Sequence, residues 1–174
     1  MNLAYAILAA VALQRLLEVA YAARNTRALL ARGATEIGRG HYPFFILLHG
    51  SWLAAIFLML PGPPEIHVAP LLIFLLLQAG RVWVIASLGQ YWTTRIITLP
   101  GAPLVRRGPY RFVRHPNYLI VVGEIAVLPL VFGEVWVASI FSVLNAVLLA
   151  WRIRIENAAL AARTGQVSAA SSVR

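Results

Sequence analysis

Five long apolar runs, residues 3–23, 44–60, 68–88, 118–132 and 135–151, dominate this chain of 174 residues and limit what it can become. Each is 15–21 residues long, close to the ~20 that an α-helix needs to cross the hydrocarbon core of a bilayer. A soluble fold would have to cover them with charge, yet 60% of the chain is hydrophobic and only 12% charged. Ordinary soluble domains carry about 25% charged residues. The predicted fold class is therefore all-α: a polytopic membrane protein of about five transmembrane helices, forming one domain over residues 1–160. The Ala- and Ser-rich residues 161–174 are predicted to form a flexible tail. The fourth run is short, contains Pro129 and meets the fifth across Gly133 and Glu134. That pair reads as a tight helical hairpin, tilted or incompletely spanning. Arg15 and Glu18 interrupt the first run and no basic stretch precedes it, so it reads as a retained helix rather than a cleaved leader.

The net charge of +9 comes from arginine alone, as the chain has neither lysine nor aspartate. The arginines do not form one stripe, which argues against a nucleic-acid partner. Arg24, Arg27, Arg32 and Arg39 follow the first run, Arg95, Arg106, Arg107, Arg111 and Arg114 lie between the third and fourth, and Arg152, Arg154, Arg163 and Arg174 follow or end the fifth. The opposite connections, 61–67 and 133–134, hold none. By the positive-inside rule the N-terminus is predicted outside, with residues 89–117 and the C-terminus cytoplasmic, in a bacterial plasma membrane. There is no cysteine, and the four histidines lack a zinc-ligand spacing, so no metal site is expected.

Within the membrane runs, Arg15 and Glu18 stand three apart on one helical face and are expected to form a structural ion pair. Arg81 and Glu124 are the other intramembrane charges and are expected to pair; His49 and Asn145 read as interhelical hydrogen-bonding residues. The tryptophans are expected in interfacial belts.

The run LPGAPLVRRGPYRFVRHPNY, residues 99–118, places four prolines and four arginines immediately before an apolar helix. Proline fixes its own φ and restrains the residue before it, so this loop is stiff and non-helical, as a ligand site requires. Gly108-Pro109-Tyr110, Arg114-His115-Pro116-Asn117-Tyr118 and, one helical hairpin later, Arg152-Ile153 with Glu156 then follow in order. This arrangement resembles the isoprenylcysteine carboxyl methyltransferase family over roughly residues 99–165. The resemblance implies transfer of a methyl group from S-adenosyl-L-methionine to a carboxylate or hydroxyl of a lipophilic substrate dissolved in the lipid bilayer. It implies a C-terminal cytoplasmic cofactor site in which Leu104, Val105, Tyr110, Arg114, His115, Pro116, Asn117, Tyr118 and Glu156 enclose the cofactor, and that Arg152 is the substrate-side residue.

The chemistry agrees with that assignment. A carboxylate needs cationic donors, ribose hydroxyls or an ammonium need an acidic acceptor, and adenine needs flat apolar surface. Arg114 and His115, then Glu156, then Tyr110 and Tyr118 supply these in turn. A hydroxyl acceptor also needs a base, for which His115 and Glu124 are the candidates. Asn157 stands where the family has a second acidic residue, and the acceptor stays open. So do two alternatives, an NADPH-dependent sterol-type reductase, suggested by Gly123-Glu124 after the R-H-P-N-Y run, and a phospholipid N-methyltransferase.

Overall fold

A computed structural model describes residues 2–171 apart from 61, 63, 103 and 104, with side chains up to 159. The expected contact of Leu104 therefore lies outside the described residues. Five α-helices run in chain order: α1 (Leu3–Ala31), α2 (Tyr42–Met59), α3 (Val68–Leu88), α4 (Pro116–Val131) and α5 (Val135–Ser171). Four of them, α1, α2, α3 and α5, are long and apolar enough to cross a membrane. The fourth in order, α4, has 16 residues, about 24 Å at ~1.5 Å per residue, against a hydrocarbon core of ~30 Å. The expectation of five spans thus becomes four helices of spanning length and one shorter helix packed among them. Helix α5 continues to Ser171, where a flexible tail is expected from residue 161. The alanines of that stretch favour helix, which the absence of apolar periodicity does not reveal.

An all-α reading also misses a small sheet. Strands β1 (Thr35–Ile37) and β2 (Ile96–Thr98) pair antiparallel, with Thr35 opposite Thr98 and Ile37 opposite Ile96. Both are three-residue strands in loops at the same end of the bundle, too short for an alternating pattern to show.

The core uses regular helical spacing. Ala4, Leu8 and Val11 of α1 meet Trp52 and Ile56 of α2, Phe74 of α3 and Val121, Ile125 and Leu128 of α4. Outward, Leu58, Leu76 and Trp136 are each more than 70% exposed, which suits helices whose outer faces are solvated by lipid. Trp52 and Trp92 are buried, whereas Trp83, Trp136 and Trp151 are exposed. Helices α3 and α4 approach closely through small residues: a Cβ added at Gly123 would lie 2.9 Å from Leu77.

The intramembrane charges form one network joining α1, α3 and α4. Arg81 holds Glu18 through Nε and Nη2 and reaches Glu124 through Nη1 at 2.8 Å. Arg15 pairs with Glu18 at 3.1 Å and with Glu124 at 2.8 Å. Gln78 donates to Glu124 and accepts from Gln14. Two guanidiniums and two carboxylates neutralise one another, which permits their burial at membrane depth. Both ion pairs expected from the sequence are present.

Candidate functional site

The stiff loop is stitched to the ends of the helices below it. Asn25 of α1 donates through Nδ2 to the Gly89 and Trp92 carbonyls at 3.1 and 2.9 Å, anchoring the turn after α3. Arg107 Nε donates to the Ser87 carbonyl at 2.7 Å, bringing the chain back over the end of α3. The next residue, Gly108, has φ +59° and lies so close to Ser87 that a Cβ there would be 2.1 Å from Ser87 Oγ. Glycine is required on both counts. Pro109 then opens a 3-10 turn, Gly108–Arg111, and Pro116 occupies the first position of α4, where its missing N–H costs nothing.

A cavity of about 760 Å³ opens between this loop, β2, the end of α1 and the later part of α5. Val105, Tyr110, Arg114, His115, Asn117 and Tyr118 line it from the loop and the start of α4, and Arg152 and Glu156 line it from α5. Within it, Arg152 Nε donates to the Tyr118 hydroxyl at 2.8 Å, and that hydroxyl donates to the Glu156 carboxylate. The His115 ring stacks on Tyr118 at 5.1 Å, with Nδ1 4.0 Å from Glu156. Arg152 is buried and lies over the faces of Phe45 and Tyr118 at 5.3 and 5.7 Å. Among the described residues its cation is thus held by ring faces and a phenol rather than by direct pairing with a carboxylate. Burial and the neighbouring Glu156 carboxylate both raise the Tyr110 pKa, so its phenol stays protonated over the physiological range.

Two expected site residues stand apart from this lining. Pro116 is buried as the first residue of α4. Glu124 is 1% exposed within the Arg15–Arg81 network two turns further along α4. Its carboxylate is engaged by two guanidiniums, and its place in the helix packing does not bring it to the cavity lining.

Other lining residues carry no motif. Leu29 of α1, Trp92, Thr93 and Thr98 belong to the cavity wall. Their signal is tertiary: α1 and the β1–β2 pair bring them in from segments distant in sequence. Asn117 Oδ1, Thr98 Oγ1 and Trp92 Nε1 are buried polar atoms without hydrogen-bond partners among the described residues. Such orphans in a cavity wall are what a polar ligand would satisfy. Arg95, Arg106 and Arg114 supply cationic donors, Glu156 an acidic acceptor, and Leu29, Leu88, Ile96 and Tyr110 apolar surface. This donor set and volume fit a molecule that joins an amino acid to a nucleoside.

A second, smaller groove of about 350 Å³ meets the first cavity at Trp92, Thr93, Asn117, Tyr118 and Arg152, which line both. It runs between α1 and α2 past Leu16, Val19, Ile46 and Gly50, all exposed on the outer face. Contrary to the expectation of an interhelical bond, His49 on this groove gives its Nδ1 to the Phe45 carbonyl of its own helix at 2.9 Å. Asn145 is buried with no hydrogen-bond partner among the described residues.

Residues 70–162 match the pattern of the isoprenylcysteine carboxyl methyltransferase (ICMT) family. The uncharacterized protein YpbQ of Bacillus subtilis is 39% identical over 158 residues, covering 88% of this chain and 94% of its own. An uncharacterized protein of Haemophilus influenzae is 28% identical over 167 residues, covering 91% and 94%. No solved structure matches the chain.

Proposed function

The chain belongs to the isoprenylcysteine carboxyl methyltransferase family of membrane methyltransferases, and we propose that it moves a methyl group from S-adenosyl-L-methionine to a carboxylate or hydroxyl of a lipophilic substrate dissolved in the bilayer. The observation that carries this reading is convergence. Side chains from a proline-rich loop and from a helix about forty residues later line one cavity, and Arg152, Tyr118 and Glu156 are linked by hydrogen bonds across it.

S-adenosylmethionine, when bound, supplies a methyl carbon already activated by its positive sulfur. What remains for the protein is alignment and exclusion of water. Arg114 and His115 stand as donors for the cofactor's carboxylate, and Glu156, Asn117 and Thr98 as partners for its ammonium and ribose hydroxyls. Trp92, Tyr110 and Leu29 offer the adenine an apolar bed. Arg152, on the boundary of both cavities, orients the acceptor oxygen and stabilises its negative charge. His115 is the remaining candidate base if that oxygen begins as a hydroxyl.

The acceptor reaches Arg152 from the lipid side through the groove between α1 and α2. The cofactor enters from the cytoplasm, with the N-terminus outside. The arginine-bearing connections after α1 and after α3 meet at the cavity end of the bundle, through the β1–β2 pair and the Glu36–Arg95 ion pair at 3.0 Å. That grouping supports this orientation. Gly123 is occupied in α3–α4 packing and Glu124 in the charge network, which favours methyl transfer over the reductase reading.

The test is ligand stabilisation of the detergent-purified protein. S-adenosylmethionine or its demethylated product at a hundred times its Kd should add ~2.7 kcal/mol of stability, and NADPH nothing. Stabilisation by NADPH alone would overturn the proposal.

A further inference from the structure

The groove between α1 and α2 carries more than hydrocarbon. Tyr42, Phe45, His49 and Leu53 line it from α2 at spacings of three and four residues, so they form one helical face. Tyr42 marks the cavity end, its hydroxyl accepting from Thr94 Oγ1 at 3.2 Å. His49 lies seven residues further on, about 10 Å deeper at ~1.5 Å per residue. Its Nδ1 contacts the Phe45 carbonyl, and a carbonyl can only accept, so Nδ1 holds the proton. In the neutral ring, Nε2 is then a lone-pair acceptor on a side chain that lines the groove, and no side chain among the described residues donates to it. Water is scarce at that depth, and an acceptor left unmatched there costs free energy.

The adjoining wall is open by composition. Gly50 faces the groove, and a Cβ built there meets nothing within 4 Å. Glycine weakens a helix interior, and here no close contact requires it. It leaves width beside His49.

Resting on the methyltransferase reading above, we infer that this groove binds an amphiphile carrying a hydroxyl part-way along its hydrocarbon body, about 10 Å from the methyl-accepting end, and that His49 Nε2 accepts the hydrogen bond from that hydroxyl. A plain acyl chain would fill the apolar walls but leave Nε2 unmatched. A hydroxyl satisfies it and is small enough for the groove. His49 is thus a specificity-determining residue, remote from the transferred methyl.

Two probes separate the possibilities in the full-length protein reconstituted in lipid nanodiscs: hexadecanoic acid and its mid-chain hydroxy derivative. The hydroxy acid should bind about tenfold more tightly, the scale of one hydrogen bond satisfied in an apolar site. His49→Phe should erase the preference by weakening only the hydroxy acid. Gly50→Leu, whose Cβ has open space around it and whose branched end would occupy the groove, should weaken both. S-adenosylmethionine binding should persist in each variant, which shows that the variants are folded. Equal affinities in the wild type, or a preference that survives His49→Phe, would overturn the inference. Failure of S-adenosylmethionine to bind while the hydroxy-acid preference stands would instead remove the methyltransferase reading and leave the groove assignment intact.

Discussion

Replacing Arg81 by methionine tests the physical account of the membrane interior most severely. Arg81 donates to both oxygens of Glu18 at 2.6–2.8 Å and to Glu124 at 2.8 Å. With it, two positive charges face two negative ones. Without it, Glu18 and Glu124 share Arg15 alone and the buried cluster carries one uncompensated negative charge. Breaking a buried pair by removing one partner costs ~3–5 kcal/mol, whereas an ordinary interhelical hydrogen bond in a bilayer is worth only ~0.6 kcal/mol. The larger figure is expected here because charge, and not only a hydrogen bond, is left over. Adding Glu124→Gln restores neutrality, so the double variant should be more stable than Arg81→Met alone by ~1–3 kcal/mol, a coupling typical of directly contacting charges. SDS-driven unfolding in mixed micelles, followed by tryptophan fluorescence, measures both. A cost of Arg81→Met under ~1 kcal/mol, or simple additivity in the double variant, would refute the reasoning.

Three further outcomes follow from the site. Glu156→Gln and His115→Ala should each lower S-adenosylmethionine affinity at least tenfold in calorimetry, whereas Arg152→Ala should reduce turnover by more than it reduces cofactor affinity. Wild-type cofactor binding in both of the first two variants would remove the assignment. Gly108→Ala should destabilise the protein by at least ~1–2 kcal/mol from its left-handed backbone alone, with the Ser87 contact adding to that, and the thermal midpoint reads the loss. Tyr110 has a raised pKa, caused first by burial and then by Glu156. Above the ordinary tyrosine value of ~10, the unfolded chain loses this proton while the folded one keeps it. Stability should therefore fall as pH rises past ~10, and Tyr110→Phe should flatten that alkaline limb in a pH series of thermal midpoints.

Much of the site was legible because its motif residues are local. Tyr110, Arg114, His115, Asn117 and Tyr118 lie within nine positions, and Arg152 and Glu156 share a helical face. Chain stiffness and helical periodicity, both readable in one dimension, hold each group together. The ion pairs were legible for a related reason, since a charge in an apolar run must find another. Glu124 shows the limit of that logic. Its residue type suits a base, yet whether it meets substrate or a second arginine depends on which helix faces it. Trp92, Thr98 and Leu29 were illegible because strands of three residues carry no pattern and their pairing spans about sixty positions of chain.

Composition and run length alone determined that this chain enters a membrane, because no soluble surface could be made from so few charges. They also determined where its rigid loop lies. Helix packing decided that Glu124 joins Glu18 in pairing with Arg15 and Arg81. It also opened a groove past His49 that meets the polar cavity at Arg152. These outcomes depend on which faces of separate helices touch, and side-chain contacts between segments distant in sequence settle that without leaving a periodic trace along the chain.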